Sequence, residues 1–378
     1  MPQELIVFFQ TAQSTDFIFP GIVVCIWLVY IFLILLFYFR LAFYRVSASG
    51  AASLPVTIIM VERNEEENLR NNLPGWLSAG YPEYEVLVVD DFSEDNSLTS
   101  VGVLRLRYPR LKLTGLNQET RYSQKLSRNL ALKAASYDHA VFIHPCMEVP
   151  DDHWLPGIAT ALSGSKEIAV GYTRISPSKG YHHRLYRIES FFQQMESMAF
   201  CLNGMPFVAN EENIAFRKHL YFDINGFAGK IGEEFLNMEL IFNEVIRKKA
   251  NSIMLAGNLA LEKKIKAGKQ EYNELLHKYY FLKRTLGFRI RLVSRIFNLL
   301  RLLFIPMLIA CAVLYPFLWP ELLFMLVVFL IIFLIIIKRL QNRLNESGIF
   351  ITSVLYGLVA PYGRVFTHWR YNYQRKNR

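Results

Sequence analysis

The chain has 378 residues, a formal net charge of +10, and 52% hydrophobic residues spread unevenly along it. That length admits one large domain with additions. The positive charge does not point to nucleic acid, because much of it flanks apolar runs or sits in the tail (Arg364, Arg370, Arg375, Lys376, Arg378), where anionic lipid headgroups are the simpler partner.

The first apolar run, Phe17 to Phe39, is long enough for a spanning helix, which needs about 20 apolar residues. A cleaved signal peptide fits it poorly: the run is too long, and neither a preceding basic residue nor a small-residue cleavage site accompanies it. Residues 1 to 16 lack Lys and Arg, whereas Arg40 and Arg45 follow the run. The positive-inside rule then predicts an N-terminus outside and a large middle region in the cytoplasm. Cys25, Cys146, Cys201 and Cys311 show no paired spacing, which suits a reduced domain without a disulfide framework.

From Pro55 to about Lys283, short apolar runs alternate with amphipathic ones, predicting an α/β domain with a mainly parallel sheet and helices on both faces. Strands are expected at Val56 to Val61, Tyr84 to Val89, Leu111 to Leu116, Val141 to Ile143 and Ile168 to Tyr172. Asn64 is expected to cap a helix, with Glu67 completing the box three residues later. Lys125 to Ala135 and Asp151 to Leu162 read as helices. So does LYRIESFFQQMESMAFCL, whose stripe of Leu185, Ile188, Phe192, Met195 and Ala199 is expected to be core.

Two further apolar runs, Leu302 to Leu318 and Leu322 to Ile337, are separated by YPFLWPE, whose prolines suit a turn at a membrane surface. Arg289, Arg291, Arg295 and Arg301 precede the pair, and Lys338 and Arg339 follow it. Apart from Glu321 in the turn, these runs hold no charged residue, which argues against a channel or transporter. Ile349 to Val359 is too short to span, is expected to end at Pro361, and reads as an amphipathic helix in the headgroup layer. The resulting division is an anchor at 1–46, a cytoplasmic domain at 54–285, a transmembrane hairpin at 289–341, and an interfacial helix with a basic tail at 342–378.

Five stretches in order, VTIIMVERNEEENL, YEVLVVDDFSEDNS, QKLSRNLALKAASYDHAVFIHPC, RLYRIESFFQQMESMAFCL and NEENIAFRKHLYFDINGF, resemble family 2 glycosyltransferases of the GT-A type over most of residues 54 to 250. The resemblance implies a nucleotide-sugar donor whose base and ribose meet Asn64, Glu65, Asp90 and Asp91, with Lys125 near the diphosphate. Each is also accounted for structurally, the glutamates at a helix N-terminus and the aspartates in a turn.

Members of that family carry Asp-x-Asp after the strand that here reads AVFI, holding Mg²⁺ or Mn²⁺ against the diphosphate. His144-Pro145-Cys146 stands there instead, a softer donor set that should hold a hard cation poorly. Two such ligands do not make a zinc site unless folding gathers His153, His182, His183 or Cys201 beside them. The general base is open: without a gap Asn237 takes its position, and with a short insertion Glu233 and Glu234 supply the acidic pair. The family's Gln-x-x-Arg-Trp motif is missing from KQEYNELLHKYYFLKR, where Lys283-Arg284 is the nearest basic cluster.

Two functions follow as expectations. One is glycosyl transfer to a membrane-proximal acceptor such as a lipid-linked saccharide, with Lys125, Arg128 or Arg121 meeting the leaving-group charge. The other is a catalytically inactive relative, kept in the cytoplasmic membrane as a scaffold or regulatory subunit for a protein partner.

Overall fold

The computed structural model describes residues 17–44, 53–149, 151–233, 235–248 and 253–376. The chain divides into two units, one of Met1–Tyr44 with Gly287–Arg378 and one of Arg45–Leu286.

The first unit begins with helix α1 (Ile18–Phe43), which carries a π-helical turn at Leu35–Phe39. The second unit holds seven strands and eight helices among the described residues. In chain order these are β1 (Val56–Glu62), α2 (Glu66–Trp76), β2 (Tyr84–Asp90), α3 (Ser97–Arg107), β3 (Leu111–Gly115), α4 (Ser123–Ala134) and β4 (His139–Ile143). Next come α5 (Trp154–Leu162), β5 (Ile168–Ile175), α6 (Tyr181–Leu202), β6 (Ile214–Arg217), α7 (His219–Asp223), α8 (Met238–Lys248), β7 (Ile253–Lys263) and α9 (Lys269–Thr285).

The strands form one sheet in the order β3-β2-β1-β4-β6-β5-β7. The β1, β2, β3 and β4 pairings are parallel, so the carboxyl ends of these strands open on one edge, where ligands of open α/β sheets bind. β6 is antiparallel to both β4 and β5, and β5 pairs parallel with β7. Side-chain alternation gives β1 two apolar faces: Ile58 and Met60 pack with Leu73, Trp76 and Trp154, and Ile59 packs with Leu132, Phe216 and Phe242. A strand covered on both sides reads as a continuous apolar run, which is why VTIIMV stands out in the sequence.

Local details differ from the sequence reading. Asn64 does not cap α2: it takes φ 56°, its side chain accepts the Glu94 N–H, and Glu65 precedes the helix instead. An Asn tolerates that left-handed conformation and here ties two strand-end loops together. Helix α5 starts at Trp154, three residues later than expected. The INGF turn has a steric cause. Gly226 has φ 52°, and a Cβ there would lie 2.3 Å from the Tyr221 ring, so only glycine closes α7. Of the expected stripe on α6, Ile188, Phe192, Met195 and Ala199 are buried and Leu185 is half-buried.

In the first unit α10 (Phe288–Leu314) and α11 (Trp319–Arg343) are joined by a short 3₁₀ turn, Pro316–Leu318. Arg289, Arg291, Arg295 and Arg301 lie in the first half of α10, before its apolar run from Leu302. Among the described residues three helices are long and apolar enough to cross a membrane, and only 28% of the most apolar stretch of each is buried, so their side chains mostly face outward. Tyr30 packs its ring against Phe304 and Phe329 at 5.8 and 5.3 Å, and the Trp27 indole donates to the Met325 carbonyl at 2.9 Å. The last helix, α12 (Phe350–Lys376), does not stop at Pro361 but runs through it, since losing one backbone N–H does not outweigh the turns on either side.

Candidate functional site

The carboxyl ends of β1 and β4 open onto a cavity of about 1250 Å³, whose lining includes Glu65, His144, Cys146, Asn237, Glu239 and Lys263. Of the residues singled out in the sequence, it thus gathers Glu65, His144, Cys146 and Asn237. Asn64, Asp90, Asp91 and Lys125 do not line it. Asp90 accepts the Ser93 N–H at the end of β2. Asp91, buried, accepts hydroxyl bonds from Ser127 at 2.7 Å and Ser123 at 3.3 Å, so its carboxylate is already engaged. Lys125 donates to the Glu233 carbonyl and lines a separate cavity of about 420 Å³. Glu233 enters through its backbone, and Glu234 lies outside the described residues.

Asn237 immediately precedes α8, donating to Gln124 Oε1 at 3.1 Å through its side chain and to Glu239 Oε2 at 3.1 Å through its N–H. An amide here cannot take up a proton. The carboxylate beside it is Glu239, in the first turn of α8, fully buried and paired with Lys278 at 2.5 Å. Burial raises the Glu239 carboxyl above the ordinary range, and the Lys278 ammonium opposes that rise. Sequence reasoning passed over Glu239. The signal was there, a carboxylate two residues beyond the ambiguous position on the same helix start.

Three cation–carboxylate pairs brace the walls. Arg128 forks onto Glu211 through Nε at 2.9 Å and Nη2 at 2.5 Å, and Glu211 also accepts the Met238 N–H at 3.0 Å, tying α4 to the start of α8. Burial by itself would raise the Glu211 carboxyl, but the Arg128 guanidinium holds it down at about 2. Lys278 pairs with Glu239, and Lys263 with Glu212. Neither Glu211 nor Glu212 was given a role from the sequence, although both lie in NEENIAF.

The residues present do not fit a Mg²⁺ or Mn²⁺ ion. His144 accepts the Cys146 N–H on Nδ1 at 3.2 Å, which uses one nitrogen, and its Nε2 is 3.7 Å from Glu65. Burial, with the positive Lys263 nearby, lowers the imidazole to about 4, and burial pushes the Cys146 thiol up to about 12. A neutral imidazole and a protonated thiol are not the oxygen donors a hard cation takes. Zinc fares no better. His183 spends its ring nitrogens on the Ser176 carbonyl and the Ala267 N–H, and the Cys201 thiol points to the Phe207 carbonyl. Among the described residues no group of three or more His, Cys, Asp or Glu is placed to hold a metal.

One further strand-end residue escaped the sequence reading. Glu62, at the end of β1, is buried and neither of its carboxyl oxygens has a hydrogen-bond partner. Burial, then the neighbouring Asp90, lifts it to about 8.

Comparison with known proteins agrees with this architecture. PcManGT, a mannosyltransferase from Pyrobaculum calidifontis in complex with GDP-Man and Mn²⁺, superposes with a TM-score of 0.57 at 16% identity, covering 90% of this chain and 99% of that one. A TarS fragment from S. aureus in complex with UDP-GlcNAc gives a TM-score of 0.45 at 14% identity, over 84% of this chain and 92% of that one. No match is found among curated proteins. Residues 57–222 match the family model for glycosyl transferase family 2. The α/β unit has a GT-A-type fold, and its residues 57–222 are similar to glycosyl transferase family 2.

Proposed function

We propose that this domain binds a nucleoside-diphosphate sugar and transfers its glycosyl group to an acceptor hydroxyl, the acceptor being a saccharide carried at a membrane by the apolar helices' lipid. The observation that carries the reading is the cavity at the ends of β1 and β4, large enough for a nucleotide-sugar and furnished with Glu239 beside Asn237. In the reaction the acceptor oxygen forms a bond to the anomeric carbon as the bond from that carbon to the β-phosphate oxygen breaks. The electron pair leaves with the diphosphate, and Glu239 takes the acceptor's proton. Its raised affinity for protons suits that role, since a base works best with a pKa near the working pH. The positive-inside pattern supports a cytoplasmic domain with the N-terminus on the other side.

The experiment is release of nucleoside diphosphate from UDP- and GDP-sugars by the full-length protein in detergent with lipid-linked acceptors. Turnover is expected, falling by about 10² or more in Glu239→Gln. A second reading, an inactive relative that holds a protein partner in the membrane, is favoured by the Asn237 amide and the His144–Cys146 pair. Release with no donor, together with unaltered partner capture by Glu239→Gln, would favour that one.

A further inference from the structure

Resting on the donor-binding reading above, we infer that Lys263 replaces the divalent cation: its ammonium group is the charge offered to the donor's diphosphate, and donor binding is independent of Mg²⁺ and Mn²⁺.

The backbone puts Lys263 where the metal would be needed. It is the last residue of β7, in register with Ile175 of β5 on one side and bridged antiparallel to Met147 on the other. Three backbone bonds clamp this junction: Lys264 N–H to the Cys146 carbonyl at 3.0 Å, Glu148 N–H to the Glu262 carbonyl at 2.9 Å, and Ser176 N–H to the Lys263 carbonyl at 3.0 Å. The end of β7 is thereby stitched to the loop whose carboxylates are missing, and Lys263, His144 and Cys146 line the same cavity.

The chemistry agrees. A lysine whose side chain is only 14% exposed needs a counter-charge to stay ionised, and Glu212 supplies it. Burial opposes the charge, but Glu212 outweighs it and raises the ammonium above its ordinary range. An ammonium has three donors, and the bond to Glu212 uses one, leaving donors for phosphate oxygens. Two of the three cations proposed from the sequence are placed otherwise. Lys125 is turned to the Glu233 carbonyl in the smaller cavity, and Arg128 is forked onto Glu211. A fixed positive charge beside His144 also repels a divalent ion, so the lysine and the lost carboxylates are one arrangement.

The test is calorimetric titration of the full-length protein in detergent with UDP, GDP and UMP, in EDTA or in MnCl₂. UDP or GDP affinity is expected to agree within about threefold between the two media. Lys263→Met should weaken the diphosphate about ten- to hundredfold, as expected for losing a hydrogen bond to a charged group, and change UMP less than about threefold. Lys263→Arg should recover most of the loss. Because Lys263→Met strands Glu212, the Lys263→Met/Glu212→Gln pair is measured beside it and must show the same selective loss. Binding that strengthens about tenfold or more with Mn²⁺, or that ignores Lys263→Met in both backgrounds, overturns this inference and leaves donor binding intact. No binding of any nucleotide in either medium overturns both.

Discussion

Glu62 and Asp90 end neighbouring parallel strands in direct register, so two carboxyl groups sit side by side on one face of the sheet. Glu62 has no hydrogen-bond partner to stabilise a charge, and it rises to about 8 from an ordinary 4.5. The folded protein therefore holds a proton that the unfolded chain releases between those values, and stability falls as pH climbs through that window. Glu62→Gln should match the wild type at pH 4 and exceed it by about 1–3 kcal/mol at pH 8. Urea unfolding at both pH values checks this; equal gains at both would show that packing, not ionisation, is responsible.

The Arg128–Glu211 fork is the opposite case, a buried pair with all its oxygens occupied. Arg128→Met leaves a buried carboxylate without its cation and should cost about 3–5 kcal/mol. Arg128→Met/Glu211→Gln should regain part of that loss, because the stranded charge is gone. The Glu211 carboxyl is depressed to about 2, so the pair's contribution is complete above the unfolded value of 4.5 and fades as pH falls toward 2. A denaturation series from pH 7 to pH 3 should show wild type and Arg128→Met converging at the acid end.

Turn chemistry gives a third expectation. Gly226 combines φ 52° with the Tyr221 ring where a Cβ would go, so Gly226→Ala pays both strain and overlap. A loss of about 2–4 kcal/mol is expected in chemical denaturation. Gly229→Ala, with φ 71° but open space, should lose only about 1 kcal/mol.

These cases mark what could be read from the sequence. The parallel half of the sheet announced itself because β1, β2 and β4 are apolar on both faces, with β1 and β2 ending in acidic residues and β4 running straight into His144. β6 and β7 did not, since β6 is four residues long and antiparallel, and β7 carries mixed residues. The His144-Pro145-Cys146 loop was legible as a strand end, because it follows β4 directly. The neighbouring Lys263 was not legible: it lies more than a hundred residues further on, and backbone pairing, including the bridge to Met147, brings it there. Glu239 was missed for a related reason. Helix starts tolerate extra carboxylates, so the one paired with Lys278 looks like any other until burial separates it.

The last expectation follows from treating the lost carboxylates and the lysine as one unit. His144→Asp/Cys146→Asp restores two oxygen donors, but the Lys263 ammonium remains beside them and pairs with them in place of a metal. Mn²⁺ should therefore bind that double variant weakly. Adding Lys263→Met removes the competing charge and should tighten Mn²⁺ by about tenfold or more, the effect of roughly 1.4 kcal/mol of relieved repulsion. Electron paramagnetic resonance of free Mn²⁺ reads this directly in the full-length protein. Wild type should leave the free signal unchanged, the double variant should lower it slightly, and the triple variant should lower it most. If the double and triple variants bind alike, Lys263 does not sit in the metal's place, whatever the nucleotide titrations say. The pH course adds a control: with His144 at about 4, wild-type diphosphate binding should show no imidazole titration between pH 5.5 and pH 8.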